Sequence, residues 1–252
     1  MTMTRDEATT GNGRIEARYA DADSPPPPHP DGVDPRTYVR DVSWVSEPMT
    51  IRRTIRLVRS DYQRMADHYG FPLTVGRALQ MSILPAIIAL VVYRVSSLCY
   101  ERGFRTLAWF LYSFNNFATG CDILPRTRIG ERCLLGHTTS TILSGQIGRN
   151  ATILARGGVG GAHRQSDGDI GAGLGLPVLG DDVILGANSS VMGAVFIGDG
   201  AFIGAHSMVI QDVPPNAIVS GSPARVRRSR SALPVDPGEG PRPLEFTKRI
   251  AT

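Results

Sequence analysis

Lysine is almost missing from this chain. Lys248 is the only lysine among 27 basic residues, so the net charge of +4 comes from arginine. We interpret this positive charge as a compositional bias of the genome and not as selection for a charged partner. Nucleic-acid binding is therefore not expected. Four arginines stand close together between Arg225 and Arg230. They are interpreted either as a solvated end of the chain or as a contact for the phosphate groups of a ligand.

Cysteine is also scarce. The chain has three cysteines, Cys99, Cys121 and Cys133, and none of them forms a C-x-x-C pair. This odd number excludes a complete disulfide framework and gives no thiolate metal site, so we expect small, buried and reduced thiols. The first residues carry neither the positive region nor the apolar region of a signal peptide, which predicts a cytoplasmic location.

The sequence lacks a hydrophobic run long enough to cross a bilayer. Its most apolar stretch, residues 83–93, has eleven residues before Arg94, whereas a membrane-spanning helix needs roughly 18–20. We interpret this stretch as a buried helix. Peripheral contact with a membrane is not expected.

A six-residue period runs through the second half of the chain. Thirteen positions at this spacing hold twelve aliphatic residues, and eight of the thirteen are followed directly by Gly. A period of six fits neither a helix nor a strand alternation, but it is typical of a parallel β-helix in which each hexad forms one strand and one turn. Three hexads then make a triangular coil with the aliphatic side chains inside. The positions are Ile123, Ile129, Leu135, Thr141, Ile147, Ile153 and Val159, then Leu179, Leu185, Val191, Ile197, Ile203 and Val209.

The repeats divide the chain into four parts. We predict a disordered arm at 1–42, a helical region at 43–118, the β-helix domain at 119–224, and a C-terminal tail at 225–252. Val159 and Leu179 are 20 residues apart, which is three hexads plus two, so a loop at 160–178 is expected to leave the coil. The helices, predicted at 49–70, around 83–93 and near 105–116, are expected to cap the open end of the prism.

Histidine is rare, and three of the five histidines lie on the predicted β-helix or its loop: His137, His163 and His206. Asp122 precedes His137 by fifteen residues. Because one coil has eighteen residues, the two side chains can lie on adjacent coils near one edge. A carboxylate that accepts from one imidazole nitrogen raises the basicity of the other, as a general base requires. His206, in a corner turn, is expected to be inert.

Several motifs now make a resemblance visible. Residues 106–228 resemble the serine acetyltransferase branch of the hexapeptide-repeat acyltransferases, which have a left-handed β-helix. The fold class implied is mainly β with α: a left-handed parallel β-helix preceded by a helical N-terminal region. The carriers are residues 119–125 (TGCDILP), Gly136-His137, residues 147–154 (IGRNATIL), residues 183–188 (VILGAN), residues 212–215 (DVPP) and residues 221–226 (GSPARV).

This resemblance implies acyl transfer from acetyl-CoA to a hydroxyl group, with no covalent enzyme intermediate and no metal. His137 would remove the proton of the acceptor hydroxyl, and Asp122 would orient His137. CoA would lie in a groove between neighbouring prisms of a homotrimer, which can pair into a dimer of trimers. Its contacts would be Gly186, Ala187, Gly204 and Ala205, with Arg225 at the nucleotide phosphates. Turn geometry alone also accounts for these small residues.

Two departures from the branch concern the acceptor. Serine acetyltransferases have an acidic residue before the catalytic histidine, where this chain has Gly136. The Arg-His pair that follows their glycine-rich loop is missing, and His163 and Arg164 stand near the start of the loop instead. These two residues either reach the acceptor or belong to a solvated loop. These departures predict an acceptor other than serine, such as another small alcohol or a sugar. A serine O-acetyltransferase of cysteine biosynthesis is the alternative.

Two further readings belong to other functional classes. A non-catalytic trimeric scaffold of the same fold would bind CoA without turnover. A zinc hydratase of the γ-carbonic anhydrase type uses the same fold with three clustered histidines. His137, His163 and His206 do not have that spacing, so a metal site is not expected.

Overall fold

A computed structural model describes residues 34–39, 42–161 and 168–230 of the chain. From Pro35 onward these residues belong to one compact unit. The described part begins with two short 3-10 helices, Pro35–Tyr38 and Ser43–Val45. Four α-helices follow: α1 (Ile51–His68), α2 (Val75–Met81), α3 (Pro85–Glu101) and α4 (Arg105–Thr119).

The ends of these helices follow from local sequence. Thr50 and Thr74 cap α1 and α2, each accepting a hydrogen bond from the backbone N–H three residues on. Pro85 occupies the first turn of α3, where no N–H is needed. Helix α4 ends at Gly120, which has φ +70°, a left-handed conformation that terminates many helices.

The rest of the described chain is a parallel β-solenoid of short strands in three sheets. One sheet has the order β1-β4-β7-β10-β13, the second β11-β8-β5-β2, and the third β15-β14-β12-β9-β6-β3. The strands are β1 (Cys121–Ile123), β2 (Arg128–Ile129), β3 (Leu134–Leu135), β4 (Thr141–Leu143), β5 (Gln146–Ile147), β6 (Thr152–Ile153), β7 (Gly158–Gly160), β8 (Val178–Leu179), β9 (Ile184–Leu185), β10 (Ser190–Met192), β11 (Phe196–Ile197), β12 (Phe202–Ile203), β13 (Met208–Val209), β14 (Ala217–Ser220) and β15 (Arg225–Ser229).

The interior of the solenoid confirms the six-residue period. All twelve aliphatic positions of the repeat belong to one buried core. The thirteenth position, Thr141, does not: Leu143 takes its place in the core, and it pairs with Ile123 and Val159 of the neighbouring coils. The six-residue spacing therefore predicts the wrong inward residue at this point: the inward residue is Leu143, two positions after Thr141.

The two additional residues lie in the turn that follows His137. Ser140 has φ +57°, and Thr141 closes the turn with two hydrogen bonds, from its N to Thr138 O (3.0 Å) and from its Oγ1 to His137 O (3.1 Å). A threonine hydroxyl can satisfy turn carbonyls in this way, whereas an aliphatic side chain cannot. The corner at His137 is therefore larger than an ordinary corner of the repeat.

The helical region caps one end of the prism, as predicted. Ala89, Leu90 and Tyr93 of α3 belong to the same buried core as the first coil. A buried ion pair adds direction to this packing: Arg94 Nε donates to Asp61 Oδ2 of α1 at 3.1 Å, and its other nitrogens donate to backbone carbonyls of residues 129 and 130. Burial lowers the pKa of Arg94, but the charge of Asp61, the neighbouring Tyr93 and the hydrogen bond to Asp61 together outweigh burial and raise that pKa, so the guanidinium stays charged.

Two of the predicted boundaries differ from the structure. Tyr38, inside the predicted arm, is buried, and its carbonyl accepts a hydrogen bond from Asp199 N (2.9 Å), so the short helix Pro35–Tyr38 packs on the solenoid. Residues 225–229, inside the predicted tail, form β15, which pairs antiparallel with β14. Residues 1–33 of the arm and 231–252 of the tail lie outside the described residues, as do 162–167 of the loop.

Across the described ranges, no single helix is both long and apolar enough to span a membrane. Helices α2 and α3 pass that test together by length and composition, but they are bent by 92° at the break between them.

Candidate functional site

One edge of the prism carries most of the predicted site. Strands β3, β6, β9, β12 and β14 are neighbours in register, with Leu135 beside Ile153, Leu185 and Ile203 in turn. The residues that follow them therefore stack into one column at the corner. We call it the Gly136 edge, and its members are Gly136, Leu154, Gly186, Gly204 and Ser220.

Backbone hydrogen bonds fix the spacing of the Gly136 edge. Gly136 N, Gly186 N and Gly204 N each donate to a carbonyl of the next coil at 2.8 Å. A methyl group has no room at Gly186, where an added Cβ would lie 2.6 Å from Ala205 N. Glycine at position 186 is thus required by the close approach of successive coils, which is a structural reason independent of any ligand.

His137 stands at one end of this edge, beside a cavity of about 280 Å³. The cavity lies between the prism and the helical cap, and His137 itself is exposed. Only His137 and Tyr69 among its lining residues are titratable. The lining is Met65, Tyr69, Leu84, Pro85, Ala86, Leu135, Gly136, His137, Thr138 and Thr139.

Half of this lining was not predicted from the sequence. Met65 and Tyr69 come from the end of α1, and Leu84, Pro85 and Ala86 from the start of α3. The apolar period of α1 predicts that Met65 is buried, but no local signal indicates that this end of α1 faces His137. Only the docking of the cap on the first coil brings them together.

The structure does not join the two predicted catalytic side chains. In the described part of the chain, no hydrogen bond connects the Asp122 carboxylate to the His137 ring. Asp122 is half-buried on β1, near the side chain of Tyr112 of α4. Burial and the nearby carboxylate of Asp122 raise the pKa of Tyr112, so the phenol keeps its proton. The pairing of Asp122 with His137 stays a prediction.

Arg225 lies at the other end of the Gly136 edge. It pairs with Ser220 across β14 and β15, and its exposed guanidinium donates to Gln211 Oε1 at 3.4 Å. From β3 to β15 there are five strand spacings, which is about 24 Å at about 4.8 Å each. The predicted base and the predicted phosphate contact thus terminate one straight edge, with Gly186, Ala187, Gly204 and Ala205 between them.

Other predicted groups are not placed at the site. His163 and Arg164 lie outside the described residues. Within the described ranges, no group of three or more His, Cys, Asp or Glu side chains could hold a metal ion. Cys121 and Cys133 are buried, and burial raises the pKa of the Cys121 thiol to about 12, so it is neither a nucleophile nor a ligand at neutral pH.

Two family models match the solenoid. Residues 177–211 match the family described as bacterial transferase hexapeptide (six repeats), and residues 126–155 match the hexapeptide repeat of succinyl-transferase. Each match covers a part of the repeat region, on either side of the loop.

Comparison with whole proteins gives a narrower grouping. The chain is 35% identical to the serine acetyltransferase of Mycobacterium tuberculosis over 56% of its own length and 60% of that protein. It is 31% identical to the Helicobacter pylori serine acetyltransferase over 57% of its own length and 81% of that protein. Other curated relatives are longer, and the chain spans 46% and 51% of two of them.

Solved structures agree with the sequence relatives. The crystal structure of Neisseria gonorrhoeae serine acetyltransferase has a TM-score of 0.62 to this chain and 30% sequence identity, covering 72% of this chain and 69% of that one. The predicted left-handed β-helix preceded by helices is thereby confirmed.

Proposed function

Because the chain belongs to the serine acetyltransferase branch of the hexapeptide-repeat acyltransferases, we propose that it transfers the acetyl group of acetyl-CoA to the hydroxyl of serine. The carrying observation is the Gly136 edge, which has His137 at one end and Arg225 at the other. The names of the relatives support the serine alternative better than a sugar or another alcohol.

His137 is the proposed general base. Its ring lies beside an apolar cavity that can hold a small acceptor next to the imidazole. The imidazole removes the hydroxyl proton while the oxygen bonds to the acetyl carbon and the carbon–sulfur bond breaks. The imidazolium then returns the proton to the CoA sulfur. A positioned base of this kind contributes about 10²–10⁴-fold to the rate.

Asp122 is the proposed partner of His137. A carboxylate beside the imidazole holds one tautomer and stabilises the imidazolium that forms. The hydrogen bond between them is absent from the described residues of the free protomer, and catalytic hydrogen bonds are often long or poorly aligned before substrates bind.

Acetyl-CoA supplies the acetyl group as a thioester and is a co-substrate. Its proposed contacts are Gly186, Ala187, Gly204 and Ala205 along the edge, and Arg225 at the phosphates, where a guanidinium suits the charge and shape of phosphate oxygens. We further propose a homotrimer in which this edge faces a neighbouring prism, and a cytoplasmic location. His163 and Arg164 are proposed to reach the acceptor from the loop.

The first test is acetyl-CoA turnover with a panel of acceptors: serine, homoserine and simple sugars. Free thiol release is followed with and without acceptor, so that protein thiols and hydrolysis are subtracted. We expect release that depends on serine and is lost by at least a hundredfold in His137→Ala. His206→Ala is the matched control, since it removes another exposed corner histidine.

Three outcomes contradict the proposal. Release with a sugar but not with serine would reinstate the other acceptor class. Acetyl-CoA binding without turnover on any acceptor would favour the scaffold reading. Equal activity of His137→Ala and the wild type would remove His137 as the base.

A further inference from the structure

A second cavity, of about 260 Å³, lies at a different corner of the prism from His137. Its walls come from three parts of the chain: residues 43–47 before α1, the first two turns of α1, and the corner of the first two coils, where Gly130 follows β2 and Arg149 follows β5. One water molecule takes about 30 Å³ in the liquid, so the cavity has room for a ligand of several atoms. Neither the repeat nor the proposed reaction assigns it a role.

The lining of this cavity is rich in charge. It holds three guanidinium groups and two carboxylates, those of Arg53, Arg56, Arg149, Glu47 and Glu131. Arg56 contacts both carboxylates: its Nη2 lies 3.2 Å from Glu47 Oε2 and its Nε lies 3.0 Å from Glu131 Oε1. The guanidinium of Arg149 lies farther from a carboxylate outside the lining, with 3.9 Å between its Nε and Asp181 Oδ2. Positive groups therefore outnumber negative ones in the lining, by three to two.

Arg53 is the buried member of this group, with 8% of its side chain exposed. Its two terminal nitrogens donate to the backbone carbonyls of Glu47 and Trp44. Its Nε is also buried but has no hydrogen-bond partner among the described residues, since Glu47 Oε2 lies 3.5 Å away, beyond the usual range of an N–H···O bond. Burial lowers the pKa of Arg53, and the charge of Glu47 only partly offsets this effect. The wall of the cavity thus contains a buried cation with one unused donor.

The sign and the shape of these groups select the ligand. A guanidinium keeps its proton in proteins, so a buried one is stabilised by an anion and not by loss of its charge. Its fork of N–H donors fits the oxygens of a carboxylate or a phosphate group. Three guanidinium groups would repel a cation, and the carboxylates of Glu47 and Glu131 would repel an anion of high charge.

We propose that this cavity binds a small oxyanion of low charge, a carboxylate or a phosphate group, held by Arg53, Arg56 and Arg149. The Nε–H of Arg53 donates to one of its oxygens. Because Arg53 and Arg56 belong to α1 and Arg149 belongs to the second coil, the bound anion links the helical cap to the solenoid and stabilises the folded chain. The site is separate from His137 and from Arg225, so the inference does not depend on the proposed reaction.

Thermal unfolding of the full chain tests the proposal, in sodium phosphate and in sodium acetate, with sodium chloride at the same ionic strength and pH as the reference. A ligand that binds only the folded chain raises Tm with its concentration. At ten times Kd we expect a rise of roughly 3–6 °C over chloride for a chain of this size. A rise in phosphate alone assigns the site to a phosphate group, one in acetate alone to a carboxylate, and one in both salts to either group. No rise over chloride in either salt would overturn the site.

Substitutions separate binding in the cavity from a general effect of salt, since phosphate also stabilises proteins through its exclusion from their surface. Arg149→Gln should abolish the rise, and so should Arg53→Lys, which keeps the charge but removes the fork of donors. Arg52→Gln is the matched control, because it removes an exposed arginine of α1 that lies outside the lining, and it should keep the full rise. Each variant is compared with its own Tm in chloride, so a variant of lower stability still gives a result.

Arg225→Gln distinguishes this cavity from the proposed phosphate contact of acetyl-CoA. A rise that is kept in Arg225→Gln and lost in Arg149→Gln supports the cavity site. A rise lost in Arg225→Gln but kept in Arg149→Gln would place the anion on the Gly136 edge, which overturns this inference and leaves the proposed function standing. An equal rise in the wild type, Arg149→Gln and Arg53→Lys would also overturn it, since salt alone would then account for the stabilisation.

Discussion

Gly136 adds no charge to the cavity beside His137. It is exposed, and the described cavity lining holds no carboxylate and no ammonium or guanidinium group. The ammonium group of serine would therefore gain no ion pair from the lining. An added Cβ at Gly136 would lie 3.2 Å from Leu154 Cδ2, the far end of a flexible side chain, so larger residues can be accommodated there.

Gly136→Asp is expected to strengthen serine binding. A carboxylate next to the base would lie within a few ångströms of the ammonium group, and an exposed pair of this kind is worth up to about 1 kcal/mol, or roughly a threefold to fivefold lower KM for serine. Gly136→Asn is the uncharged control. Steady-state kinetics at low and high salt checks it: the gain should vanish at high ionic strength. The same change in both variants would mean that charge is not the cause.

At the residue level, the sequence predicts a base but not its surroundings. His137 and Asp122 carry a local signal, a histidine after a hexad glycine and an acid about one coil earlier. Met65 and Tyr69 carry only helical spacing, which predicts one face of the helix but not what that face contacts. Their positions depend on how the cap docks on the first coil, and that docking is decided by contacts distant in sequence, such as Arg94 with the backbone carbonyls of residues 129 and 130.

Among the elements, the corners of the coil restrict the size of a side chain as strictly as the core does. Gly130, Gly148, Gly180 and Gly198 follow β2, β5, β8 and β11 and stack in a second column. An added Cβ at Gly148 would lie 2.2 Å from Gly180 O, which is backbone and cannot move aside. Gly76, inside α2, has nothing within 4 Å of such a Cβ.

Alanine substitutions at Gly148 and Gly76 are expected to change the stability of the fold in opposite directions. Gly148→Ala should destabilise the fold by about 1–3 kcal/mol, because the coils must separate to admit the methyl group. Gly76→Ala should stabilise it by about 0.5–1 kcal/mol, because alanine loses less backbone entropy in a helix. Urea unfolding followed by circular dichroism measures both. A tolerated Gly148→Ala would contradict the close approach of the coils.

The period of six predicted the strands because the same inward position recurs in every coil. The period was wrong at Thr141, which is buried in the turn after His137. That turn is two residues longer than the others, so Leu143 takes the inward position in the core. Helix α2 was not predicted, since it has seven residues and its apolar side chains Val75 and Leu79 are largely exposed, so no burial pattern marks it.

For the whole molecule, the exposed apolar surface points to association. Leu107, Phe110, Phe114 and Phe117 lie on one side of α4, within about 80° of its circumference at about 100° per residue, and Phe117 is 92% exposed. Aromatic stripes of this extent are uncommon on monomeric proteins. They agree with association of copies of the chain.

The trimer is expected to be the active form. Sedimentation equilibrium should give three times the chain mass of 27.1 kDa. Because each site would lie between two prisms, specific activity should fall on dilution in step with dissociation. Full activity in a species of one chain mass would contradict the shared site.

The Gly136 edge has a further property that follows from its repetition. Each coil adds one strand spacing between His137 and Arg225, so the length of the edge can change only in increments of about 4.8 Å. The number of coils therefore sets the distance between the two ends of the edge. Removing the whole coil from 180 to 197 would shorten the Gly136 edge by one strand spacing and leave both end groups intact. A point substitution would leave the number of strand spacings unchanged.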